Sequence, residues 1–405
     1  MSSALPLLVM LAQSALKQLG CVRALVVGDG LNALGVVRSL GAAGVPVTAL
    51  CTAEHSPAAR SRYARFERLS SNQGEALIED VQKITSHDHE PPVLFLTEEA
   101  SVLSVSAHRA ALEGRVRLRL PVAQRVEALT HKAGFQHLAE ALRAPIPPFV
   151  ELRSRLDLPR LGKLVFPCVL KPAAKDYRYG ARFKKAYVVG SPDEVARLYR
   201  EIEPVCPNMV VQQWIDGQDN DIFFCLQYAA NTADAPVASF TGRKIRAWPP
   251  NVGGTASCVA APEVHEELSR VTAKFFRDTG VVGMASMEFK RDRRDGRFYM
   301  IEPTIGRTDF QHEVATINGV NLPYLAYCFE LGLPLPKVRA PNPRRVWREP
   351  LIDRWSAQTQ GMAHEAGFAG ARVVDAWWRV TDPLPWVDFM ARRVRARIKR
   401  SGSGG

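Results

Sequence analysis

Met284-Ala-Ser-Met-Glu288-Phe-Lys290-Arg-Asp-Arg-Arg-Asp295-Gly296-Arg-Phe298-Tyr-Met-Ile-Glu302-Pro-Thr304-Ile-Gly-Arg307 contains two apolar strand-like runs on either side of Asp295-Gly296. Asp-Gly between such runs is a hairpin signal, so Glu288 and Glu302 are expected side by side on neighbouring strands. Two carboxylates placed that way repel unless cations lie near them. Mg²⁺ in nucleotide sites is commonly held by one or two carboxylates plus substrate phosphates, which suits the pair. The bland alternative is a surface hairpin whose acids sit among Lys290, Arg291, Arg293, Arg294 and Arg297. Against it, Glu302 follows Phe-Tyr-Met-Ile and is expected at the mouth of a buried strand, where a solvated acid is uncommon.

Working outward, the chain has 405 residues, 46% of them hydrophobic, enough for two or three domains with their own cores. Its seven cysteines are scattered, with no Cys-x-x-Cys pair and no zinc spacing, which favours a reducing compartment. The apolar run Ala4 to Leu16 is broken by Pro6, Gln13 and Ser14. It is too short to span a bilayer and has no basic segment ahead of it, so a cytoplasmic location is expected. The net charge of +12 is uneven, with six cations between Arg392 and Arg400. No recognisable nucleic-acid motif accompanies that charge, so nucleic acid is not expected as a partner.

A β-α-β pattern opens the chain: an apolar run from Cys21 to Val27, a turn at Gly28-Asp-Gly30, a helical stretch to Leu40 and a second strand from Val45 to Cys51. It implies a parallel sheet, to which Pro92 to Leu96 adds another strand. Gly28-x-Gly30-x-x-Ala33, with Glu54 beyond the second strand, partly matches a dinucleotide fingerprint. That match supports a rival reading, a nicotinamide-dependent oxidoreductase, which leaves Glu288, Glu302 and Lys171 without a role. A boundary is expected near Ala144-Pro-Ile-Pro-Pro-Phe149, after a helix from Lys132 to Arg143. Strands then follow at Val165 to Leu170 and Ala186 to Val189. Ser191-Pro-Asp-Glu should open a helix. Met209 to Trp214 and Asp221 to Tyr228 are expected to form a strand pair about Asp216-Gly217. A helix from about Pro262 to Thr279 should close at Gly280.

Lys171 ends an apolar strand and precedes Pro172, which keeps the backbone extended and presents a cation at a fixed place. Ala173 to Lys185 follows as a cationic loop containing Lys175, Arg178, Arg182, Lys184 and Lys185. It is either a phosphate cover or a solvated face.

The ordered set Thr130-His-Lys132, Val169-Leu-Lys171-Pro172, the basic loop, Val211-Gln-Gln-Trp-Ile-Asp-Gly-Gln-Asp219, Gly242-Arg-Lys244, Glu288 and Glu302-Pro-Thr-Ile-Gly-Arg307 resembles the ATP-grasp superfamily, and within it the carboxylate-amine ligases. The resemblance covers roughly residues 20–335. It implies a mixed α/β and α+β fold: a Rossmann-like domain at 20–125, a two-lobed ATP-grasp domain at 126–335, and a basic Trp/Arg-rich extension at 336–405. It further implies that Lys132 and Lys171 contact the phosphates of ATP, with Lys171 also near the adenine. Gln213, Trp214 and Ile215 would form the hinge beside the base, Trp214 acting mainly through its backbone, and Asp219 would hold the ribose. Lys244 would lie near the γ-phosphate, Glu288 and Glu302 would bind Mg²⁺ or Mn²⁺, and Arg307 would face an acyl phosphate. Where the family often has Asn as a third ligand, this chain has Thr304, whose hydroxyl can also coordinate Mg²⁺.

The implied activity is ATP-dependent joining of a small carboxylate to an amine, with ADP and phosphate as products. A non-catalytic nucleotide-binding module, with Thr304 marking a lost metal site, is the second rival. In the extension, Trp386 to Arg400 reads as a basic helix with Trp386, Phe389, Met390, Val394 and Ile398 among its apolar positions. Such a helix lies on an anionic membrane, packs on its own protein, or is a solvated tail.

Overall fold

A computed structural model describes residues 22–174, 177–307, 309–339, 341–342 and 344–402, with side chains described as far as 396 in the last stretch. The apolar run Ala4 to Leu16, Cys21 at the start of the first strand, and Lys175 in the cationic loop lie outside the described residues.

The first layer is a four-stranded sheet of β1 (Ala24–Val27), β2 (Val47–Cys51), β3 (Ala64–Arg68) and β4 (Val93–Leu96), in the order β3-β2-β1-β4. All its pairings are parallel. Every residue of β1, β2 and β4 is buried, as expected for strands covered on both faces. Gly28 makes the turn into the helix Leu31–Gly41 with φ +143°. A Cβ there would fall 2.1 Å from Thr97 Oγ1, so no other residue fits.

A second four-stranded sheet holds β5 (Phe149–Leu152), β6 (Cys168–Pro172), β7 (Tyr187–Val189) and β8 (Met209–Gln213), antiparallel throughout in the order β5-β8-β6-β7. The helix Pro192–Ile202 packs its buried Val195, Tyr199 and Ile202 into the core beside this sheet. Its cap is the expected one: Ser191 Oγ accepts from the Glu194 amide, with proline in the first turn.

The largest sheet has seven strands: β9 (Ile222–Ala229), β10 (Ala238–Trp248), β11 (Gly254–Ala260), β12 (Gly283–Arg291), β13 (Phe298–Ile305), β14 (Arg345–Arg348) and β15 (Arg372–Asp375). Their order is β13-β12-β9-β10-β11-β14-β15, with only β14 and β15 parallel. The helix His265–Thr279 packs against it and stops at Gly280 in the left-handed conformation, as the sequence predicts.

The expected pairing of Met209–Trp214 with Asp221–Tyr228 does not occur. β8 lies in the small sheet and β9 in the large one. Between them Gly217 takes φ +148°, and Asp221 accepts from the Gln218 amide and pairs with Arg293 at 2.6 Å and Arg291 at 3.0 Å. These ties redirect the chain from one sheet to the other. Residues beyond 335, set apart in the sequence reading as a basic extension, supply β14 and β15 to the central sheet. They are anchored there by a buried Arg246–Asp353 ion pair at 2.7 Å. Among the described residues no helix is long and apolar enough to cross a membrane.

Candidate active site

Between the small sheet and the β12–β13 edge of the large one lies a cleft of about 680 Å³, lined by Lys132, Lys171, Lys185, Gln213, Trp214, Ile215, Lys290, Ile301 and Glu302 among others. Much of its chemistry is set by the β12–β13 hairpin. Glu288 and Glu302 are directly paired in the ladder, as expected from Asp295-Gly296. The next pair is Phe289 with Met300, which leaves Ile301 as an extra residue. This bulge puts the consecutive residues Ile301 and Glu302 on the cleft while Met300 stays in the core. Thr304, opposite Ser286 and two residues beyond Glu302, shares the carboxylates' face.

Each carboxylate has a lysine partner. Buried Lys244 reaches Glu288 Oε2 at 2.7 Å and donates to the Gly253 carbonyl at 3.2 Å. Lys132, at the head of the helix Lys132–Ala141, stands 3.8 Å from Glu302. Desolvation in the cleft pushes the Glu302 carboxyl upward. Lys132, Lys171, Lys185 and Arg307 outweigh it, and the net effect holds the group below the usual carboxylate range. Although Glu302 sits at the end of a strand with an apolar lead-in, its side chain is half exposed to the cleft rather than buried.

Lys171 projects from β6 between buried Leu170 and Pro172 and donates to Gln212 Oε1 at 2.8 Å. Burial and the nearby Lys132 cation bring its ammonium down to about 8. A lysine so placed is readily charged by an arriving phosphate. Lys290, nearly buried, lies with its Nζ 4.1 Å from the centre of the Trp214 ring, and burial lowers it as well.

The hinge segment lines the cleft, and two of its amides are committed. Gln213 N donates to Pro148 O at 2.9 Å and Trp214 N to Pro167 O at 3.0 Å. The Trp214 amide is therefore already paired, which leaves the Trp214 carbonyl and the Ile215 amide for any backbone contact with a base. What Trp214 offers the cleft is an indole fixed by Lys290.

Asp219 is the residue the structure sets apart. It is buried and accepts from Ala247 N at 2.9 Å, Asn251 N at 2.6 Å and Gln360 Nε2 at 3.1 Å, and it borders a different groove. It pins the loop carrying Asn251 and Val252, which do line the cleft. A ribose contact for Asp219 does not fit this arrangement, because the residue is buried, borders the other groove and already accepts three hydrogen bonds. Arg307 follows Gly306, whose φ is +72° and where an added Cβ would fall 2.5 Å from Leu120 Cδ2, so glycine suits the position. It borders a small cavity with Arg117 and Arg119 rather than the main cleft, yet its charge reaches Glu302.

Sequence reasoning did not single out Gln212, Lys290 or, individually, Lys185. The signal for Gln212 was present: two successive glutamines close the otherwise apolar run Met209-Val-Val-Gln-Gln213. For Lys290 there was none, because its role depends on Trp214, far away in the chain.

Among the described residues no group of three or more His, Cys, Asp or Glu side chains is arranged to hold a metal ion. The donors at the hairpin are two carboxylates and a hydroxyl, all hard oxygens. That set fits a magnesium-like ion whose remaining positions are filled by water and phosphate. The partial dinucleotide fingerprint has a different use. The Asp29 carboxylate accepts from Thr52 N at 3.0 Å, from Thr52 Oγ1 at 2.6 Å and from Ser56 Oγ, while Glu98 accepts from Asp29 N at 2.8 Å. Two acids at the turn oppose a pyrophosphate there, and Glu54 is exposed beside Arg60.

No protein-family model matches the chain. It is 24% identical over 209 residues to a D-aspartate ligase of Enterococcus faecium, a match covering 48% of each, so the chain spans about half the length of the curated relative it matches. Its fold is similar to that of an N5-carboxyaminoimidazole ribonucleotide synthetase solved with ADP: TM-score 0.61, 16% identity, 80% of each chain. It is also similar to the biotin carboxylase domain of the 2-oxoglutarate carboxylase of Hydrogenobacter thermophilus, solved with MgADP and bicarbonate: TM-score 0.60, 16% identity, 78% of this chain and 71% of that one.

Proposed function

We propose that this chain, which has the ATP-grasp fold, is an ATP-dependent ligase that joins a small carboxylate to an amine through an acyl phosphate. The observation that carries the reading is the pairing of Glu288 with Glu302, the latter beside Lys132, Lys171 and Lys185 in a cleft large enough for a nucleotide, with Lys244 on Glu288 and the charge of Arg307 reaching Glu302.

A carboxylate is a poor acylating agent. In the proposed reaction its oxygen attacks the γ-phosphorus of ATP and the bond to ADP breaks. The amine nitrogen then attacks the acyl carbon, phosphate leaves, and the nitrogen loses a proton. Such phosphoryl transfer needs positioning and charge compensation more than covalent help. Lys171 and Lys132 bind phosphate oxygens, and Lys185 closes the cationic rim. Trp214, braced by Lys290, gives the base an aromatic wall, with Ile215 and Ile301 beside it. Arg307 lies on the acyl side and binds the charge that grows on the transferring group.

Glu288 and Glu302, with the Thr304 hydroxyl, would hold Mg²⁺ or Mn²⁺, which would offset phosphate charge. When phosphates draw Lys132 and Lys244 toward themselves, the carboxylates are released from their lysine partners. The substrates proposed are small molecules. Likeness to a D-aspartate ligase makes D-aspartate the first carboxylate to test, and the cationic surroundings suit a dicarboxylate. A cytoplasmic location fits the use of ATP and six cysteines that are buried and free.

The test is ATP-dependent phosphate release by the purified protein across D- and L-amino acids and small carboxylates, with hydroxylamine as acceptor. Release that requires one carboxylate, with hydroxamate formed, is the expected result. Tight ATP binding with no release across the screen would favour the non-catalytic nucleotide-binding module.

A further inference from the structure

The helix Leu384–Gly402 has two apolar faces, and the described residues cover only one. On the inner face Phe389 stacks on Trp377 with ring centres 4.0 Å apart, and Trp386 meets Trp378 edge-on at 5.1 Å. Asp388 pairs with Arg60 at 3.4 Å and Arg392 at 3.0 Å. The ring contacts hold the first half of the helix against the segment before it, and the Arg60 pair ties it to the N-terminal part of the molecule. At about 100° per residue, Leu384, Val387, Met390 and Val394 fall on one stripe of the opposite face. All four are exposed, Val387 at 47% and Val394 at 52%, and Val380 in the preceding turn is 83% exposed. Arg393 borders the stripe on one side and Arg395 on the other.

Charge decides what covers this stripe. The helix sequence has six cations and one acid, and that acid is already paired. A second copy of the chain would bring like charges together. An anionic surface would not, and an apolar stripe flanked by arginines suits the water–lipid boundary. With no span-forming helix among the described residues, the geometry is that of a helix lying in the plane of the surface.

We propose that the stripe Leu384–Val387–Met390–Val394 docks this protein on an anionic lipid bilayer, with arginines of the same helix contacting the headgroups. This is independent of the ligase reading. The test is co-sedimentation of the full chain with vesicles of phosphatidylcholine alone and of phosphatidylcholine mixed with phosphatidylglycerol, with ATP affinity as the check on folding. Binding is expected only to the mixed vesicles and should weaken with salt. Arg393→Gln/Arg395→Gln should weaken it about 25-fold, roughly fivefold per arginine. Val387→Gln/Val394→Gln should weaken it comparably, and neither variant should change ATP affinity. Equal binding to both vesicle types, no binding to either, or a wild-type dimer that the valine variant dissociates would each overturn the proposal.

Discussion

Glu288 and Glu302 stand opposite each other on β12 and β13, and each is matched by a lysine from elsewhere in the chain, Lys244 at 2.7 Å and Lys132 at 3.8 Å. Like charges directly across a strand pair destabilise it. The lysines offset that repulsion when no other cation does, so the pair is both a structural link and a site ready for a charged ligand.

Removing one charge from this pair without changing its volume tests the assignment. Glu302→Gln should fold normally and lower Mg²⁺-dependent turnover about 100- to 1,000-fold, the scale of one lost electrostatic partner. The double variant with Glu288→Gln should lose little more than the more damaging of the two singles, because residues serving one cluster are not additive. Wild-type specific activity in Glu302→Gln would remove the carboxylate from the mechanism.

Lys171 makes ATP binding pH-dependent. Its ammonium titrates at about 8 in the folded protein, so below that value it is charged and above it the phosphate partner is lost. ATP affinity measured by calorimetry at fixed salt should fall up to about tenfold from pH 7 to pH 9. Lys171→Arg should flatten that dependence and Lys171→Ala should bind weakly at both values. Stability of the ligand-free protein should move the other way. Between about 8 and the usual lysine value the unfolded chain binds more protons, so this group's contribution to stability rises with pH.

Arg307 separates chemistry from binding. If it meets charge that develops on the transferring group, Arg307→Ala should lower kcat by more than it raises the Kd for ATP. Arg307→Lys should restore activity only in part, because an ammonium lacks the planar fork. Hydroxamate yield, with the active carboxylate present, should fall in step with kcat. Normal turnover in Arg307→Ala would make the residue structural.

Asp219 should behave as a fold residue. Asp219→Ala leaves the amides of Ala247 and Asn251 without their acceptor, at a cost of about 2 to 4 kcal/mol. A clear drop in thermal midpoint is expected, with ATP affinity changed only modestly. Loss of affinity with unchanged stability would return Asp219 to the ribose.

Much of this molecule was determined within short stretches of sequence. Asp295-Gly296 between apolar runs is enough to bring Glu288 and Glu302 onto neighbouring strands, Ser191-Pro-Asp-Glu to start a helix, and Lys171-Pro172 to end a strand on a cation, because turn, cap and strand preferences act over a few residues. Tertiary structure decided what depends on residues far apart in the chain. It separated β8 from β9, because Arg291 and Arg293 hold Asp221 from another hairpin. It used the Asp219 carboxylate for the backbone of a distant loop, and it set Lys290 against Trp214. It also carried β14 and β15 into the central sheet, leaving the following helix with one face packed and one free. None of these has a local signature, since each is a balance of burial and charge between segments that meet only when the chain has folded.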